Sequence, residues 1–239
     1  MIDLAATNDP SLLALLAAHP RVAEVCQGSA PLEFRTGGWH RRIAVGDATI
    51  EQHGLVELMD NNPIVCADAM SVPSPAATLA LIALGPLAAA GLILEPPAFQ
   101  TNAPGGEAAI GDFLASAGWP GGVVLDHQEA DLANVYAATA IAAIRTPEEL
   151  DDIDDLYEER FGRSFFVRRD EQSDWHVNLV RHRPNAVYHL RVTPDEPACL
   201  LTVQVMADAK GKCGAAQMVH AMNVMCGFEE SLGIPDLIV

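Results

Sequence analysis

Helical spacing of apolar residues dominates this chain through residue 162, and two-residue alternation dominates from 165 to 208. DPSLLALLAA (9–18) predicts a short helix, with Asp9 able to cap and Pro10 suited to the first turn. Residues 41–58 predict short strands and turns, and NNPIVCAD (61–68) a turn followed by a brief buried strand. SVPSPAATLALIALGPLAAAGLI (71–93) predicts a core helix that begins near Ala76, bends or ends at Gly85-Pro86 and closes at Gly91. PPAFQTNAPGG (96–106) reads as a strand or loop, 107–117 as an amphipathic helix broken by GWPGG, and VVLDH (123–127) as a strand. The alanine-rich pattern from Glu129 to Ile144 predicts a helix. So does TPEELDDIDDLYEERFG (146–162), with Thr146 as cap, Pro147 after it and Glu149 completing a capping box. FFVRR (165–169), HVNLVRH (176–182), NAVYHLRVT (185–193) and ACLLTVQVMAD (198–208) predict strands, and a last helix near 212–226 stops at Gly227. The order implies an α+β fold, a mostly antiparallel sheet packed by helices.

Composition narrows the reading. No charged residue lies between Asp68 and Glu95, a stretch long enough to span a bilayer. It is nevertheless alanine-rich, broken by Pro73, Pro75, Gly85 and Pro86, and bounded by acids instead of Lys or Arg anchors. A buried helix is expected, and no membrane partner. With 32 acidic against 14 basic residues the net charge is -18, which repels phosphate backbones and excludes nucleic acid as a partner. The five cysteines are odd in number and form no CxxC pair, which argues for reduced thiols in a cytoplasmic protein. No basic segment resembling a signal peptide opens the chain.

Candidate chemistry is sparse. GGWHRR (37–42) reads as a hairpin turn with solvated charges, or as an anion-binding loop. His176, His182 and His189 do not converge at ligand spacing, so no metal is expected. The acidic run 148–159 is one solvated helix face. There is no GxSxG, HExxH or P-loop.

KCGAAQMVHAMNVMCGFEESLGI (212–234) places Lys212, Gly214, Gln217, Asn223, Met225 and Gly227 in a pattern that resembles the C-terminal helix of the semialdehyde dehydrogenase family. That family includes aspartate-semialdehyde dehydrogenase and N-acetyl-gamma-glutamyl-phosphate reductase. Pro73, Thr78, Leu81, Pro86, Leu87 and AGLI (90–93) are similar to the family's active-site segment, and GGEAAIGDFL (105–114) to the Gly-rich segment after it. The resemblance implies a dimerisation domain over 66–239, with 1–65 a remnant or replacement of the nucleotide-binding domain. It also exposes losses. The family's nucleophilic Cys falls on Pro75, its Asn on Val72 and its Gly on Ser74. Proline cannot form a thioester. No GxGxxG loop is present, and MIDLAATNDP resembles the strand and loop at the far end of the family's first domain.

The resemblance leaves His182, Arg183 and Lys212 as the candidate catalytic groups and Ser74, Asn102 and Gln217 as candidate substrate contacts. It implies no cofactor for this chain alone, with NADP bound only alongside a partner chain. The function expected is a catalytically degenerate subunit that binds or dimerises, as a homodimer or with a partner dehydrogenase subunit. The alternatives are a repurposed pocket acting on a small amino-acid-like carboxylate without nicotinamide, or a subunit of an NADP-dependent dehydrogenase complex.

Overall fold

The computed structural model describes residues 1–171, 174–194 and 198–237. The first of its two sheets comprises β1 (Leu4–Thr7), β2 (Val25–Gln27), β3 (Leu32–Thr36), β4 (Trp39–Val45), β5 (Gln52–His53) and β6 (Ala69–Val72), in the order β2-β1-β3-β4-β6-β5. Helix α1 (Pro10–Ala18) links β1 to β2, which run parallel. MIDLAATNDP therefore opens a βαβ unit. Between β3 and β4 the two-residue loop Gly37-Gly38 has φ of +54° and +86°, the left-handed pair that a tight hairpin with native strand twist requires. GGWHRR is thus a hairpin, but Arg41 turns inward. Its buried guanidinium donates to the carbonyls of Val65, Ala67 and Met225.

The second sheet comprises β7 (Ala98–Thr101), β8 (Val124–His127), β9 (Val135–Ile144), β10 (Val167–Arg169), β11 (Ala186–Thr193) and β12 (Cys199–Asp208), in the order β10-β11-β12-β9-β7-β8. The three central pairings are antiparallel and the two outer ones parallel. One face buries Ala138, Ala140, Ala142, Leu201, Val203 and Tyr188 against α3 (Pro75–Ala89), α4 (Glu107–Ser116) and α5 (Asp151–Phe161). The architecture is α+β, with a mostly antiparallel second sheet packed by helices. Helix α6 (Ala215–Met225) returns to the first sheet, where Val219 and Met222 share a core with Leu12 and Leu16 of α1.

Several segments depart from the sequence expectation, each for a tertiary reason. Residues 135–144 form the central strand β9 although alanine favours helix. The even-numbered alanines face α3, and their small side chains let strand and helix approach closely. The cost in local propensity is outweighed by pairing on both edges, to β12 and β7. Residues Asn61–Cys66 form a short helix, α2, ahead of β6 in place of a turn and strand. HVNLVRH makes one 3-10 turn over Val177–Leu179, with the His176 ring accepting from the Asn178 amide, so His182 does not lie on a strand. Helix α5 starts at Asp151 and not at Thr146, and Asp152 accepts from the Glu149 amide. Helix α3 runs through Gly85-Pro86. Leu58 packs close against Gly85, where an added Cβ would lie 2.3 Å from Leu58 Cδ1 and push that side chain aside. Every residue from Ala76 to Ala88 of α3 is buried in protein. Among the described residues no helix is long and apolar enough to cross a membrane.

Candidate functional site

A cavity of about 290 Å³ opens where the segments that follow β1 and β6 meet the starts of α1, α3 and α6. Asn8, Asp9, Pro73, Pro75, Cys213 and Gln217 line it. This is the carboxyl edge of the parallel strands, where open α/β sheets bind ligands. Its chemistry is unusual for such a place. Asp9 Oδ1 accepts from the amides of Ser11 (2.8 Å) and Leu12 (3.4 Å), so a carboxylate of the chain already sits on the first turn of α1. Pro75, at the first position of α3, brings neither an N–H nor a nucleophile.

Cys213 reaches the same cavity, with Sγ 3.9 Å from the Pro75 carbonyl oxygen. Burial pushes its thiol up strongly, and the neighbouring Lys212 charge offsets only part of this. Burial thus favours the neutral thiol over the nucleophilic thiolate. Gln217 uses its amide to fasten α6 to α3, donating to the Pro73 carbonyl (3.2 Å) and pairing with the Thr78 hydroxyl. Ser74 stands at the cap position of α3, but its buried hydroxyl has no hydrogen-bond partner among the described residues, and it does not line the cavity.

The other candidate residues lie elsewhere. Lys212 is fully buried, with Nζ 2.6 and 2.8 Å from the two carboxylate oxygens of Glu57 and 3.4 Å from His220 Nδ1. Burial alone would raise the Glu57 carboxyl, but Lys212 and His220 hold it below its usual value. His220 Nε2 lies 3.0 Å from Glu230 Oε2, which extends this network to a partly exposed carboxylate. His182 is exposed with φ of +59°, and its amide donates to Asp208. Arg183 is exposed beside it. The Asn102 amide ties a loop to β9, donating to the carbonyls of Ala130 and Val135 and accepting from the Ala137 amide.

Of the six residues singled out by sequence, only Gln217 lines the cavity at the mouth of α3. Asp9 and Cys213 were missed as site residues. The Asp-Pro step marked a cap without marking what it blocks, and Cys213 stood unremarked beside Lys212. No group of three or more His, Cys, Asp or Glu side chains suited to a metal occurs among the described residues.

No family model matches the chain. Over 128 residues it is 30% identical to an N-acetyl-gamma-glutamyl-phosphate reductase of Saccharopolyspora erythraea, an alignment that takes in 53% of this chain and 36% of that protein. The match thus spans about a third of that relative's length. In architecture it is similar to aspartate semialdehyde dehydrogenase II of Vibrio cholerae. The TM-score is 0.62 at 12% identity for the complex with ASA and 0.61 at 11% for a second crystal structure of that protein. Both superpositions take in 94% of this chain and 98% of the other. The chain is semialdehyde-dehydrogenase-like, in fold across nearly its whole length and in sequence across half of it.

Proposed function

We propose that this chain is a catalytically degenerate semialdehyde-dehydrogenase-like subunit that acts by binding and dimerising. The mouth of α3 carries the reading. Pro75 occupies the position to which the resemblance assigns the nucleophilic cysteine, and the one thiol nearby, Cys213, is buried and neutral. NADP does not fit the first βα turn. The Asp9 carboxylate sits on the α1 amides that would hold a phosphate, and its charge repels one. Nicotinamide chemistry would therefore need a partner chain that supplies the dinucleotide site.

In this reading residues 1–65 are the remnant of a nucleotide-binding domain and 66–239 the dimerising part, with β6 paired into the first sheet and α6 packed on it. The face of the second sheet turned away from the helices supports dimerisation. There Ile141 and Leu200 are exposed, with Thr139, Thr202 and Gln204 in the neighbouring rows. The five unbridged thiols suit a cytoplasmic setting, and the resemblance suggests amino-acid metabolism.

Light scattering on a sizing column and NADPH fluorescence titration test the proposal together. The expected result is a particle of twice 25.4 kDa that Ile141→Glu splits, with no NADPH binding. A stable monomer would remove the dimerising role. NADPH binding with reduction of an acyl phosphate would remove the degeneracy.

A further inference from the structure

A second cavity, of about 740 Å³, opens between α2 and the end of α5 and shares no lining residue with the mouth of α3. Its lining carries both signs of charge. Arg160, in the last turn of α5, and Arg163 just beyond supply two guanidinium groups. Asp60, ahead of α2, Glu230 and the almost wholly buried side chain of Glu57 supply carboxylates.

Neither guanidinium forms an ion pair or hydrogen bond with any described residue. That is notable in a chain with 32 acidic and 14 basic residues, since three carboxylates line the same cavity. Glu57 is bound by Lys212, Glu230 is held by His220, and Asp60 makes no capping bond to α2. Unpaired guanidinium groups and carboxylates thus line one open cavity.

We propose that this cleft binds a small zwitterion, with its carboxylate on Arg160 and Arg163 and its ammonium on Asp60 and Glu230. A guanidinium offers a planar fork that matches a carboxylate, and an ammonium offers three donors to acceptor-only carboxylates. A simple anion would meet repulsion from Asp60 and Glu230, and a simple cation would meet it from the two arginines. The volume lies within the roughly 300–1,000 Å³ common for small-molecule sites. Glu230 is positioned in advance, because His220 Nε2 lies 3.0 Å away and the His220 ring packs on Phe166 with ring centroids 4.6 Å apart.

Isothermal titration of the full chain with a ladder of unbranched ω-amino acids, 4-aminobutanoate to 8-aminooctanoate, tests this. Each is compared with the matching carboxylate and the matching alkylamine. At least one ladder member is expected to bind about tenfold or more tightly than both of its monofunctional analogues. The double variant Arg160→Gln/Arg163→Gln should erase that advantage and Glu230→Gln should reduce it, with melting curves confirming that the variants fold. If no ladder member outbinds its analogues, or if the double arginine variant keeps the advantage, the proposal is overturned. Should the double variant melt early, the ladder on the unaltered chain decides alone. Because the two cavities share no residue, either result leaves the proposal for the mouth of α3 untouched.

Discussion

Removing either partner of the buried Lys212–Glu57 pair should cost far more than removing both. At 2.6 Å and an effective dielectric of about 20, Coulomb attraction between these charges is worth ~6 kcal/mol. Dehydrating two ions costs several kcal/mol each, so the intact pair lies near break-even against an apolar pair of similar volume. Lys212→Met leaves the Glu57 carboxylate facing the Ser164 hydroxyl at 3.3 Å and the His220 ring at 3.9 Å, with no buried cation among the described residues in direct contact. Glu57→Leu leaves the Lys212 ammonium with His220 Nδ1 at 3.4 Å and the Phe166 ring at 5.7 Å. Each single variant is expected to lose about 3–5 kcal/mol, the usual penalty for an uncompensated buried charge. For a chain of this size that lowers the melting temperature by about 2–4 °C per kcal/mol.

The double variant should be more stable than either single one. Urea unfolding followed by tryptophan fluorescence on all four members of the cycle measures this. The pH dependence follows from the same geometry. The Glu57 carboxyl sits below its unfolded value of 4.5, so its contribution is complete above that pH and is lost as pH falls through the lowered folded value. Two singles that each cost under about 1 kcal/mol, or a double variant whose loss equals their sum, would refute the account of an ion pair locked out of water.

Two further outcomes follow from local contacts. Gly85→Ala should destabilise the chain by about 1–2 kcal/mol, because the new methyl collides with Leu58 at the fully buried face of α3. In a Leu58→Ala background the same change should stabilise by up to about 1 kcal/mol through helix propensity, and denaturant midpoints giving one sign in both backgrounds would contradict it. His19 accepts from the Arg21 amide through Nδ1 and pairs with Asn223 through Nε2, and burial lowers its basicity below 6.5. Its unfolded form therefore binds the proton first. Stability should fall as pH drops through 6.5 toward the lowered folded value, and His19→Gln should flatten that slope in urea midpoints taken between about pH 7.5 and about pH 5.5.

Much of this fold was readable because its signals are local. Asp9-Pro10 announced α1, Gly37-Gly38 the hairpin, and the alternation in ACLLTVQVMAD the strand β12. The failures are equally physical. YAATAIAAI looks helical by propensity, and only the two strands that flank it and α3 beneath it make it a strand. Pro75 was visible in sequence as one position in a patterned segment. What surrounds it was not. Asp9, Pro75 and Cys213 meet because three helices from distant parts of the chain begin at one point, a fact that no window of sequence contains. The same holds for Glu57, Lys212, His220 and Glu230, which no spacing rule would group.

The return of α6 to the first sheet has a consequence for the order of assembly. Leu12 and Leu16 emerge well ahead of the methionines and valines that cover them, which lie beyond residue 215. The amino-terminal lobe must wait on the ribosome with an open apolar flank until those late residues appear. Proteins with such long-range closures fold slowly and expose sticky surface meanwhile. Nascent chains halted before α6 should therefore depend on chaperones that chains released after it can do without.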